Sequence, residues 1–110
     1  MNIQIFGKSK SFDTKKAERW FKERRIRFQS VDLIRYGLSR GEFDSVRRAV
    51  GLENMMDRSA RGIENVLYLA YEEDKIQALL ENQSLLVSPI VRNGKQATVG
   101  YCPEVWEKWE

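Results

Sequence analysis

Leu85-Leu86-Val87-Ser88-Pro89-Ile90-Val91 and Gln96-Ala97-Thr98-Val99-Gly100-Tyr101 are two apolar-rich runs on either side of Asn93-Gly94. Asn-Gly between strand-like runs is the strongest short-range hairpin signal, because both residues tolerate the positive φ that a tight hairpin turn needs. The segment therefore reads as an antiparallel pair. Pro103 follows and opens a closing helix, since the first helical position has no use for a backbone N–H. Val105, Trp106 and Trp109 would pin that helix to a core.

The other end of the chain also carries strands. Ile3, Ile5 and Phe6 within Met1–Phe6 read as a short apolar strand, and Gly7-Lys8-Ser9-Lys10-Ser11 as a polar connector. From about Asp13 to Arg25, Ala17, Trp20 and Phe21 recur at helical spacing between Lys and Glu residues, which predicts an amphipathic helix capped by Ser11 or Asp13. Ile26, Phe28 and Val31 form a second strand ending near Asp32. Strand, helix and strand within so few residues imply a parallel pair with a crossover connection.

Between the two lies a helical stretch of about residues 39–81. Tyr36-Gly37-Leu38-Ser39 is a turn, and Ser39 with Glu42 is a capping box. Phe43, Val46 and Val50 line the helix that follows, and Gly51 ends it. The pattern stays helical from Leu52 to Glu81, with Ile63, Val66, Leu67 and Ala70 in one segment and Ile76, Leu79 and Leu80 in the next. Glu72-Glu73-Asp74 marks the break between them. Nothing reads as a linker or repeat, so residues 1–110 form one α/β domain.

Composition narrows the chemistry. The 110 residues suit one domain with one core, at 42% hydrophobic and 32% charged. No apolar run approaches the roughly 18–20 residues of a membrane span, and no secretory leader is evident, so the expected compartment is the cytoplasm. There is no histidine, which excludes imidazole-activated nucleophiles and imidazole metal ligation. The single cysteine, Cys102, excludes an intrachain disulfide and a multi-thiolate zinc site. No metal site is expected. The net charge of +3 permits an anionic partner without requiring one.

Strand, helix, strand, helical insertion, hairpin and helix is the order of the thioredoxin superfamily. Ile5-Phe6-Gly7 leading to Lys15-Lys16-Ala17, Asp32-Leu33 and Gly37-Leu38-Ser39 resemble the arsenate reductase (ArsC)/Spx family. So do Leu80-Glu81-Asn82-Gln83-Ser84-Leu85-Leu86, Ser88-Pro89-Ile90-Val91 and Val99-Gly100-Tyr101. The resemblance runs from about residue 2 to the C-terminus. It implies a four-stranded mixed sheet with Pro89 as the cis-proline opening the third strand; the alternative is an ordinary trans proline beginning an edge strand.

In arsenate reductases of this family a cysteine between the first strand and helix attacks arsenate, and arginines bind the oxyanion. By this resemblance the cysteine position falls on Ser11, and the second cysteine of Spx-type switches on Thr14. The arginine before the proline is Ser88, and a further arginine position is Cys102. Arg58 and Arg61 are candidates to reach the site from the insertion. A serine lacking a neighbouring base is a weak nucleophile and forms no reducible sulfur bond, so no catalytic residue is expected.

Lys8, Lys10, Ser11, Lys15, Ser88 and Pro89 could instead hold an anion at a helix N-terminus; the plain alternative is a solvated lysine face. Cys102, before Pro103, could be a reactive thiol whose pKa a helix N-terminus lowers, or a small cap or semi-buried residue with no redox role. Arg24, Arg25, Arg27, Arg35, Arg40, Arg47 and Arg48 add a basic surface without a nucleic-acid-reading element. The expected function is therefore a non-catalytic protein-interaction module. The family resemblance points to the RNA polymerase α-subunit as partner, with no direct nucleic acid, membrane or cofactor. The alternative is a thiol-dependent or glutathione-linked oxidoreductase acting through Cys102.

Overall fold

The computed structural model describes residues 1–109. Four strands form a mixed sheet in the order β2-β1-β3-β4: β1 Ile3–Gly7, β2 Phe28–Asp32, β3 Ile90–Asn93 and β4 Gln96–Val99. β1 is parallel to β2, with Ile3 opposite Phe28 and Gly7 opposite Asp32. It is antiparallel to β3, which is antiparallel to β4 across the Asn93-Gly94 turn. The helices are α1 Phe12–Glu23, α2 Arg40–Val50, α3 Leu52–Met55, α4 Ile63–Leu67, α5 Glu72–Glu81 and α6 Pro103–Trp106.

Alternation along the strands sorts the core into two layers. Ile3 and Ile5 of β1 and Val91 of β3 pack with Ala17, Trp20, Phe21, Trp106 and Trp109 on the α1/α6 side. Phe6 and Ile90 face the other way, into Leu33, Phe43, Val46, Met55, Leu79 and Leu86 of the insertion. Trp20 and Trp106 stack edge-on, with ring centres 5.4 Å apart. Thr98, buried beneath them, accepts a 2.8 Å hydrogen bond from the Trp106 indole.

Local signals set the ends of the first helices. Ser11, rather than Asp13, caps α1: its hydroxyl accepts the Thr14 N–H at 3.2 Å. Ser39 and Glu42 form the reciprocal capping box on α2, and Gly51 ends that helix with φ +88°. Ser88–Pro89 is cis. Among the described residues, no helix is long and apolar enough to cross a membrane.

Two expectations are corrected. The run from Leu85 to Val91 becomes strand only at Ile90: Leu85 closes a 3₁₀ turn and Leu86 makes an isolated bridge with Met56. Its apolarity reflects burial, with Leu86 fully enclosed, and a short apolar run does not distinguish a strand from other buried backbone. The same bridge breaks the helical stretch from Leu52 to Glu81. Met56 pairs with Leu86, Asp57 to Gly62 turn, and α4 stops at Leu67, leaving Ala70 outside any helix.

Phe6→Ala should cost about 3–5 kcal/mol, because a fully buried ring leaves a cavity in the insertion-side layer. Phe12→Ala, at a ring 82% exposed, should stay within about 0.5 kcal/mol. Urea unfolding followed by circular dichroism measures both, and equal losses would contradict the layer assignment.

Candidate functional site

The C-terminal end of β1, the N-terminus of α1 and the turn before β3 meet at one cleft. Gly7 is the pivot: a Cβ there would lie 2.7 Å from the Thr14 hydroxyl, so only glycine lets α1 turn back so tightly onto the strand. The loop then closes through a 3.0 Å hydrogen bond from Ser11 N–H to the Lys8 carbonyl. Lys8, Lys10, Ser11, Asp57, Val87 and Ser88 line the cleft, which encloses about 430 Å³. Pro89 is buried beside Ser88.

Of the expected site residues, Lys8, Lys10, Ser11 and Ser88 come together here. Lys15 and Thr14 do not: they line an adjoining depression with Gly7, Lys8, Ser9, Glu18, Ser30, Val31 and Asp32. Lys16 turns away to Asp13 at 3.9 Å and lies over the Tyr101 ring. Arg58 pairs with Glu53 at 2.5 Å, and neither Arg58 nor Arg61 lines the cleft.

Lys8 serves the fold as well as the cleft. Its ammonium donates to the Ser84 carbonyl at 2.8 Å and stands 3.9 Å from Asp57 Oδ2. Burial lowers its pKa, and the Asp57 charge only partly offsets that. Asp57 is held below the usual carboxylate range mainly by the Ser59 hydroxyl, which donates to it at 2.6 Å; the Ser59 N–H and Lys8 add to this. Asp57 and Val87 are the members of the cleft that the sequence reading missed, and Asp57 is the charged one. Asp57-Arg58-Ser59 does carry an aspartate-turn pattern, but only the bridge between Met56 and Leu86 brings it opposite Lys8.

The cleft therefore offers two serine hydroxyls, an internally matched Lys8–Asp57 pair and Lys10, which makes no ion pair among the described residues. Ser11 is the α1 cap, and no sulfur lines the cleft. Among the described residues, no cluster of acidic or thiol groups is placed to hold a metal ion.

Cys102 lies elsewhere, half-buried on the α1/α6 side, with its thiol donating to the Val99 carbonyl at 3.3 Å. Its surroundings do not give the lowered pKa that a reactive thiol would need. Burial pushes the thiol up, and the charge on Glu104 adds to that. α6 is only four residues long, and although Cys102 is its N-cap residue, its side chain caps no amide. There is too little helix for its dipole to outweigh burial.

The ArsC family model matches residues 6–109. The global transcriptional regulator Spx 2 of Oceanobacillus iheyensis is 32% identical over 107 residues, covering 92% of this chain and 78% of that protein. The solved arsenate reductase of Vibrio cholerae superposes with a TM-score of 0.83 at 19% identity, over 96% of this chain and 94% of that one. An ArsC family related protein of Bacteroides fragilis superposes at 0.85 with 23% identity, over 98% and 97%. The two structures establish the thioredoxin-like fold.

Ser11→Ala should destabilise the protein by about 0.5–2 kcal/mol, the worth of an N-cap, with the fold retained. A loss well above that range in urea unfolding would mean that the hydroxyl does more than cap α1. Iodoacetamide should alkylate native Cys102 more slowly than a free thiol at neutral pH, and faster as the pH climbs beyond the ordinary thiol range. Reaction as fast as a free thiol's would contradict the raised pKa.

Proposed function

The chain belongs to the ArsC family, and on that footing we propose that it is a non-catalytic member acting as a cytoplasmic protein-binding regulator. Its proposed partner is the C-terminal domain of the RNA polymerase α-subunit. The observation that carries this reading is the content of the cleft. Where the family resemblance puts an attacking cysteine, Ser11 spends its hydroxyl on the Thr14 amide. The chain has no histidine to activate it. A hydroxyl without a base is a weak nucleophile, and an arsenate ester on its oxygen would offer no sulfur for a second thiol to attack, so the arsenic would not be reduced.

The choice of partner is supported by the relative named as a global transcriptional regulator and by the Spx-like resemblance of the sequence. Thiol chemistry through Cys102 is the competing reading. It has less support: the thiol lies outside the cleft and burial favours its protonated form.

Purified protein supplied with arsenate and either glutathione or thioredoxin should show no turnover above the protein-free blank. In a calorimetric titration it should bind the purified C-terminal domain of the polymerase α-subunit. Arsenate turnover that vanishes on Cys102→Ser would overturn the non-catalytic reading, and a flat titration would remove the polymerase as partner.

A further inference from the structure

β2 forms an edge of the sheet, with β1 as its only neighbour among the described residues. Among the described residues, none of Phe28 to Val31 makes a backbone hydrogen bond outside the ladder with β1, so the outer edge keeps free donors and acceptors. Edge strands are ordinarily blunted by charges within the strand. Here Phe28, Gln29, Ser30 and Val31 are neutral, and Asp32 at the end is occupied in accepting the Ile34 and Arg35 amides at 2.9 and 3.0 Å. The charge lies beside the edge instead. A groove of about 650 Å³ runs along it, with Ile26 and Phe28 as its apolar lining and Lys22, Arg25 and Arg27 as cations.

The three cations are exposed and form no ion pair among the described residues, whereas Lys8, Arg40, Arg47, Arg58 and Arg92 all do. Glu18 is the one carboxylate in the groove, and it already accepts the Ser30 hydroxyl at 2.7 Å. Neutral edge, apolar floor and unmatched positive flank fit one class of occupant. We propose that the free edge of β2 docks an acidic peptide segment in extended form, which adds a further strand to the sheet. Main-chain hydrogen bonds would supply affinity, and the flanking cations would supply orientation and the preference for acidic sequence. A second copy of this chain fits less well, because an isologous pairing sets Lys22, Arg25 and Arg27 against their own counterparts. The proposal stands apart from the polymerase reading and concerns a different part of the surface from the cleft.

The test uses the whole protein, labelled with ¹⁵N, and two short peptides sharing a Val-Thr repeat, one flanked by Glu and the other by Lys. The expected result is binding of the Glu peptide with amide shifts centred on Phe28–Asp32. That binding should weaken as salt rises from about 0.05 M to about 0.5 M. Lys22→Glu with Arg27→Glu should lower the affinity about tenfold or more; if that pair unfolds by circular dichroism, Arg27→Gln alone should still lower it. Equal binding of both peptides, binding of neither, or shifts centred on Lys8, Ser11 and Ser88 would overturn the proposal. So would dimerisation in sedimentation that the Glu peptide does not compete away. Titration of the polymerase domain onto the same variants separates failure here from failure of the proposed partner.

Discussion

β1 carries side chains into apolar layers on both sides of the sheet, and that double burial places nearly everything else. Ile3 and Ile5 require the α1/α6 layer, and Phe6 requires the insertion. A strand buried on both faces cannot shift register by one residue without exposing one set and crowding the other. The end of β1 is therefore fixed, and so are Gly7, the tight entry into α1 and the mouth of the cleft. The site is a by-product of how the sheet is closed over.

That mouth is held by polar contacts that bind the protein to itself. Lys8 reaches from the first loop to the Ser84 carbonyl and to Asp57, joining β1, the insertion and the turn before β3 at one point. Ser11 binds the start of its own helix. Groups that could have served a ligand are used for architecture.

Much of the architecture was legible because its signals are local. Asn93-Gly94 marked the hairpin, Ser39 with Glu42 the start of α2, Gly51 its end, and the spacing of Ala17, Trp20 and Phe21 the buried face of α1. What escaped was long-range. Leu85, Leu86 and Val87 read as strand because burial and extension leave the same apolar trace, and only the pairing of Leu86 with distant Met56 shows otherwise. That pairing also cuts the insertion's helices and delivers Asp57, so one unseen contact accounts for both misplaced boundaries and the missing charged residue of the cleft. Cys102 stayed open between a reactive thiol and a cap or semi-buried residue for another reason: sequence shows a cysteine before a helix but not that the helix is one turn long and the thiol half covered.

The distribution of indole rings has an optical consequence. The protein's tryptophans, Trp20, Trp106 and Trp109, all belong to the layer formed by α1 and α6, and the insertion on the opposite face holds none. Intrinsic emission excited at the red edge therefore watches one half of the molecule. Loosening of α2 to α5 would pass almost unseen in that signal, and a midpoint taken from it describes the indole-bearing side alone.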